Sequence, residues 1–313
     1  MPRKYTVPRS VYSVGSLYDE FMKEAVIYKK SPATLRGYAG SRKKLYKTMA
    51  GIENENIIKL DKRFSVEYTV ALSSDNLAAS TINHYLRELR VFAYWCMENN
   101  YIMPYKLKLV KETEQLKNPY TKEELAVLLR MPRRKDGFVD WRTWAMINWI
   151  LSLGSRAGTI LNVMREDVDF YNDSVMTRHN KNGKLKSFPL NAELKRVLGE
   201  YLRHVPVEDS PYLFPNNEGG ELTYNAFRLA VEDYNNDRGV DKTSIHLFRH
   251  TFGKMWAENG GSVYELQAIF GHSDIRTTQR YINLYGEKLE PDRMARLNPL
   301  ETLARDKREK QRG

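Results

Sequence analysis

The stretch GHSDIRTTQRYIN, residues 271–283, decides how this chain is read, together with IHLFRHTFGKMW, residues 245–256. The first sets His272 nine residues before Tyr281, and the second sets His246 and His250 around Arg249. Almost no acidic group stands among them. On a helix, His246 and Arg249 lie three apart and point to one side. Two further cations sit at turns. Arg156 lies in LSLGSRAG, where a helix ends at glycine, and Lys181 directly precedes Asn182-Gly183, a strong hairpin signal. Such a set can converge on one phosphodiester. An arginine fork holds two phosphate oxygens at once. Donors fixed around the non-bridging oxygens lower the barrier to substitution at phosphorus without a metal.

Composition agrees with an anionic partner. The 313 residues carry a formal net charge of +11, with 42% hydrophobic and 28% charged residues, which describes a folded protein of two domains. Residues 1–110 hold +8 of that charge and residues 111–313 hold +3. Nucleic acid is the leading partner. The longest apolar run, WAMINWILSL from Trp144 to Leu153, spans about half a bilayer and contains Asn148, so no membrane span is expected. No apolar segment follows the N-terminal basic residues, so no signal peptide is expected. Cys96 is the single cysteine and reads as a buried thiol in a reducing cytoplasm. His246 and His250, four apart, fit a metal pair only poorly, because Arg249 lies between them and acidic ligands are scarce. No metal is expected, and His250 reads as a structural histidine.

Along the chain the pattern divides in two. Ser16 and Asp19 match a capping box ahead of Leu17, Phe21 and Val26. Ser31-Pro32 starts a second helix with an apolar stripe of Leu35, Tyr38, Leu45 and Met49. Arg36, Arg42, Lys43, Lys44 and Lys47 decorate its remaining surface, a face suited to DNA phosphates. A third helix begins near Ser80 and runs through Leu86 and Phe92 to Asn99-Asn100. Residues 105–119 lack an apolar period and read as a linker. Thr121 and Glu124 then fit a capping box, and one long helix is expected through the tryptophan-rich stretch to Gly154. Two β-prone runs flank Asn182-Gly183, and helices return after Gly219-Gly220. The fold class is mainly α with a small β-hairpin or sheet (α+β).

Tyr281 completes the chemistry. A phenol of pKa about 10 becomes a good nucleophile when a base or a cationic pocket favours the phenolate. Attack on a DNA phosphodiester gives a phosphotyrosine and frees a sugar hydroxyl, whose oxygen needs a proton that a lysine on a hairpin can deliver. The covalent link conserves the bond energy, so no nucleotide cofactor is needed.

Arg156 in GSRAG, Lys181 in NKNGK, His246 and Arg249 in HLFRH, His272 in FGHSD and Tyr281 in TTQRY resemble, in order and spacing, the motifs of the tyrosine recombinase, or phage integrase, family. The resemblance implies a two-domain clamp around duplex DNA. It has a basic arm over residues 1–11, a helical core-binding (SAM-like) domain over 12–104, a linker over 105–119 and a catalytic domain over 120–290. A docking helix and charged tail follow over 291–313, where Met294, Leu297, Leu300 and Leu303 recur at helical spacing. No folded arm-binding module is expected before residue 12, though Arg3, Lys4 and Arg9 can reach phosphate or the minor groove.

The resemblance also assigns roles. Arg156 and Arg249 clamp the scissile phosphate, His272 donates to a non-bridging oxygen, and His246 assists proton transfer or holds the phosphate. Lys181 is the general acid toward the leaving 5′ oxygen, and Tyr281 forms a 3′-phosphotyrosine. No metal, ATP or other cofactor is implied. The implied partners are double-stranded DNA, a homotetramer on paired sites with the C-terminal segment docked in trans, and an accessory DNA-bending or directionality protein. The expected location is cytoplasmic, on the nucleoid. Thr159 stands where the family commonly has a carboxylate, with Glu166 or Asp167 as substitutes, and Ser155 replaces a common leucine. The alternative is a DNA-binding regulator on the same scaffold that no longer recombines. A type IB topoisomerase-like enzyme shares the chemistry, but the compact size and motif order count against it.

Overall fold

A computed structural model describes residues 11–112, 118–177, 186–207 and 209–285. The chain divides into two compact units, residues 1–116 and 117–313. Residues 1–10 of the basic arm, Lys181 with the turn expected at Asn182-Gly183, and residues 286–313 lie outside the described residues.

The first unit is helical: α1 (Val14–Ile27), α2 (Pro32–Thr48), α3 (Lys62–Ser74) and α4 (Ala79–Glu98). Helix α1 starts three residues before the expected capping box. Ser13 is the N-cap and its side chain accepts from the Ser16 backbone N–H, while Asp19 pairs with Arg42 at 2.6 Å. The earlier start places Val14 in the core, fully buried. Helix α2 starts as its sequence indicates, with Ser31 capping and proline in the first turn. Sequence reading passed over α3, which the Asp61 side chain caps and which buries Phe64, Tyr68 and Leu72 at four-residue intervals. Helix α4 lines the core with Leu86, Leu89, Phe92 and Cys96, and burial pushes the Cys96 thiol pKa up. The expected linker begins as part of this unit. Leu107 is buried in the same core, and Asn83 holds Val110 by accepting its N–H and donating to its carbonyl, both at 2.9 Å.

The second unit starts with α5 (Lys122–Leu128), where Thr121 and Glu124 make both bonds of the capping box. The single long helix expected up to Gly154 is two. After α5 the chain turns through Met131-Pro132 and Gly137 before α6 (Phe138–Leu153), because proline cannot continue the hydrogen-bond ladder. Helix α6 is apolar on nearly every side, and Trp141, Trp144, Trp149 and Ile150 are all buried. It is the central helix of the second core, the usual place for a helix without a polar face. Among the described residues no helix is long and apolar enough to cross a membrane.

Then follow α7 (Ala157–Ile160) and an antiparallel sheet in the order β1-β2-β3, with β1 Val168–Asp169, β2 Ser174–Thr177 and β3 Lys186–Pro189. The β2–β3 register pairs Thr177 with Lys186 and Ser174 with Pro189. Sequence reading gave the pair β2–β3 but not β1. Helices α8 (Ala192–Leu202), α9 (Tyr224–Asn236) and α10 (Ile245–Glu258) pack with α6, and α11 (Val263–Phe270) and α12 (Arg276–Tyr285) pack on α10. The class is mainly α with one small sheet, as the sequence indicates.

Gly154 ends α6 in the left-handed region at φ 60°. A Cβ there would also lie 2.9 Å from the Phe270 ring and 3.0 Å from the Phe252 ring. Gly154→Ala should therefore lower the unfolding free energy by about 2–4 kcal/mol, combining left-handed strain with overpacking. Denaturant unfolding of the variant beside the wild type measures it, and a change within 0.5 kcal/mol, the scale of a surface substitution, would contradict this account.

Candidate active site

Arg249 lies on the buried side of α10, 4% exposed. Its Nη1 donates to the Gly154 carbonyl at 2.5 Å, and its Nη2 donates to the Phe270 carbonyl at 2.9 Å. The guanidinium also stacks 3.9 Å above the Phe270 ring. Both carbonyls end helices, where helix geometry leaves oxygens without a backbone partner. Burial first, and then the charge of Arg156, push its pKa down to about 9, which leaves it charged at neutral pH.

Arg156 follows two residues after Gly154, in extended conformation at the head of α7. Burial alone accounts for its lowered pKa. Ser155, in place of the family's leucine, is buried, and its hydroxyl accepts from the Trp149 indole at 3.1 Å. Of the carboxylates expected to stand in for the one missing at Thr159, Asp167 accepts from the Met164 backbone N–H at 2.9 Å and so closes its own turn.

His272 comes directly after Gly271, which ends α11 in the left-handed region. Its Nε2 faces Arg249 Nη2 at 3.3 Å, and its Nδ1 is 2.8 Å from the Thr278 hydroxyl. Burial, with Arg249 and then Arg156, pushes its pKa down to about 4, so the imidazole is neutral at pH 7. Its Nε2 then accepts from Arg249 while Nδ1–H donates to Thr278. His246 is exposed on α10, and its ring meets His250 edge to face at 4.6 Å. Tyr281 on α12 is 3% exposed, and its hydroxyl is 2.5 Å from His250 Nδ1. Burial raises the phenol pKa, while Arg280 and Arg249 oppose that rise.

Two residues join this group that sequence reading did not place in the site: Lys186 was passed over and His250 was read as structural. Lys186, on β3, donates from Nζ to the Ala268 carbonyl near the end of α11. A Cβ on Gly271 would sit 3.5 Å from Lys186 Nζ and 3.8 Å from Arg156 Nη1, so both cations border the same small space. Burial, Arg156 and Arg249 lower the pKa of Lys186. Its only sequence signal was a third lysine in NKNGKLKS, five residues past Lys181. The other residue is His250, whose contact with Tyr281 crosses 31 positions. Among the described residues no carboxylate pairs with Arg156, Lys186 or Arg249, and none gathers with others into a cluster of metal ligands.

The five cations expected to meet DNA separate on α2. Arg42 pairs with Asp19 at 2.6 Å and Lys44 with Asp75 at 2.5 Å. Arg36, Lys43 and Lys47 are exposed, and their spacing puts them on one face of the helix with the open Gly40 between.

Substitution at phosphorus through a tyrosine is the chemistry that such a cationic pocket supports. The model of the Phage integrase family matches residues 120–288, and the chain belongs to that family. Its activity is that of a tyrosine-type site-specific DNA recombinase. The tyrosine recombinase XerC of Chlamydia caviae is 26% identical over 225 residues, covering 69% of this chain and 72% of that protein. XerC of Staphylococcus aureus strain USA300 is 25% identical over 244 residues, covering 76% and 81%. In fold the chain is similar to the Tn1549 transposon integrase in complex with transposon right end DNA. There the TM-score is 0.73 at 19% identity, over 96% of this chain and 100% of that one. A lambda integrase dimer bound to a core site gives 0.71 at 11% identity, over 89% and 98%.

The electrostatics predict a titration. In the free protein the His272 imidazole should take up a proton with a midpoint near 4. An anion in the pocket favours the imidazolium, so inorganic phosphate should raise that midpoint. Histidine NMR against pH, with and without phosphate, reads both values. A midpoint above 6 in the free protein would remove His272 from the cationic pocket.

Proposed function

We propose that the recombinase cleaves and rejoins duplex DNA at a specific site with the following division of labour. Arg156 and Arg249 grip the non-bridging oxygens of the scissile phosphate. His272 and His246 complete the cradle. Tyr281 attacks phosphorus and takes the 3′ phosphate, while Lys181 protonates the departing 5′ oxygen. Lys186, bonded to the Ala268 carbonyl, anchors the start of β3, five residues past Lys181 in sequence, and adds positive charge to the pocket. The step needs neither metal nor ATP. The supporting observation is the fixed Arg249 fork beside Arg156 and Lys186, with no carboxylate among the described residues paired to any of them.

The first unit serves as the core-binding domain over residues 12–104, joined through 105–119 to the catalytic domain over 120–290, with 1–11 as a basic arm. The Arg36, Lys43 and Lys47 face of α2 lies along the DNA backbone. Four protomers assemble on two paired sites, with residues 291–313 docked on a neighbour. Solved relatives include DNA complexes and a lambda integrase tetramer bound to a Holliday junction, which supports DNA and self-association as partners. An accessory protein that bends DNA or sets direction belongs to the same proposal, as does action in the cytoplasm on the nucleoid.

Covalent trapping tests the proposal. The protein is incubated with fragmented genomic DNA and denatured, and the attached DNA is sequenced. Adducts at one site that vanish with Tyr281→Phe are expected. Reversible binding to the same fragments without any adduct would favour a regulator that has lost cleavage.

The α2 face gives a second expectation. Each of Arg36→Ala, Lys43→Ala and Lys47→Ala should weaken DNA binding for all sequences alike and shallow the log K against log salt slope by about 1. Arg42→Ala and Lys44→Ala should leave that slope nearly unchanged, because their charges are paired within the unit. Titrations at several salt concentrations distinguish the two groups. Equal slope changes for all five would contradict it.

A further inference from the structure

We propose that His250 is a catalytic residue: its Nδ1 holds the Tyr281 hydroxyl and takes the phenolic proton as the tyrosine attacks. The inference rests on the reading of Tyr281 as nucleophile. The bond is direct, 2.5 Å from Oη to Nδ1. The phenol reaches it through a built position. Tyr281 is 3% exposed, and its ring packs edge to face on Phe270. It also lies against Gly253, where an added Cβ would stand 2.8 Å from Tyr281 Cε1. Gly253 lies three residues beyond His250 on α10, so one helix supplies both the space for the ring and the partner for its hydroxyl.

His246 meets the His250 ring edge to face at 4.6 Å, and the remaining groups nearby are unsuited to accept the proton. Arg249, Arg156, Lys186 and Arg280 are cations. His272 has Nδ1 on Thr278 and Nε2 on Arg249. The buried phenol is neutral at rest, so its O–H donates and Nδ1 of His250 accepts, which requires the Nε2–H tautomer. During cleavage the Oη–H proton passes to His250 Nδ1 as the Oη–P bond forms and the P–O5′ bond breaks. The 5′ oxygen leaves with a proton from the general acid. Religation reverses each transfer, and His250 returns its proton to the departing phenolate. Arg280 stands beside the same phenol and favours the anion that develops.

The test uses the full-length protein and the DNA site recovered by trapping, built as a nicked suicide substrate. The scissile 5′-bridging atom is oxygen in one version and sulfur in the other. Sulfur leaves without a proton, so it relieves a missing general acid but not a missing base. His250→Asn places an amide oxygen near the position of Nδ1, which keeps a hydrogen bond and accepts no proton. Adduct formation by His250→Asn should fall by about 100-fold or more with both substrates, the scale of general-base catalysis, with DNA affinity unchanged. Lys181→Ala should be slow with oxygen and restored with sulfur. In the wild-type protein, histidine nitrogen NMR should show His250 as the Nε2–H tautomer, and Tyr281→Phe should shift its Nδ1 signal. This readout does not depend on how a His250 variant folds.

A wild-type cleavage rate in His250→Asn, its rescue by sulfur, or an Nδ1–H tautomer overturns the assignment while leaving Tyr281 as nucleophile. An adduct that persists in Tyr281→Phe overturns both readings.

Discussion

A guanidinium buried to 4% exposure, with no carboxylate among the described residues paired to it, is the constraint around which the second unit is arranged. Removing such a cation from water costs several kcal/mol unless its donors are satisfied. Arg249 meets that demand with two backbone carbonyls, Gly154 and Phe270, and with the face of the Phe270 ring. These oxygens belong to the ends of α6 and α11, which helix geometry leaves unpaired and partly negative. One side chain thus satisfies two helix ends. Both helices end at a left-handed glycine, Gly154 and Gly271. The residues delivered by those turns are Arg156 and His272, two and one positions further on. The packing of a buried arginine and the convergence of the groups proposed to hold the phosphate are therefore one geometric fact.

That coupling explains which parts of the site were legible in the sequence. His246 and Arg249 share a helix, and the Gly154 and Gly271 turns are local, so spacing along the chain was enough to gather Arg156, Arg249, His272 and Tyr281 as candidates. Ser31-Pro32 and the Thr121–Glu124 capping box were legible for the same reason. What escaped depends on partners far along the chain. His250 meets Tyr281 across 31 positions, and Lys186 meets Ala268 across 82. Arg42 and Lys44 looked like three other cations on α2 until Asp19 and Asp75 were brought to them. A sequence does not distinguish a charge offered to solvent from one already paired.

Two errors had local signals that went unused. Pro132 and Gly137 mark the break between α5 and α6, but the apolar density of the tryptophan-rich stretch outweighed them. Asp61 ahead of Phe64, Tyr68 and Leu72 is a cap and a stripe, and it marks α3. In the first helix two serines three apart competed as caps. Burial of Val14 decided for Ser13, a tertiary effect that overrides the local pattern.

The departure at Thr159 acquires a physical meaning in this setting. Asp167 closes its own turn, and Ser155 accepts the Trp149 indole. Among the described residues no carboxylate pairs with Arg156, which stands near the cations Lys186 and Arg249. Mutual repulsion contributes to the lowered pKa values of Lys186, Arg249 and His272. A pocket in this state gains when negative charge enters, and it gains more as that charge grows. The phosphodiester brings one negative charge, and attack by the tyrosine adds charge to the same oxygens as bonds to phosphorus change. The repulsion in the empty pocket is therefore relieved most in the transition state, which is the differential binding that accelerates a reaction. A carboxylate beside Arg156 would relieve the same repulsion in the resting protein and so reduce the difference. By this reasoning Thr159 is compatible with an active site whose electrostatic drive comes from the DNA it receives.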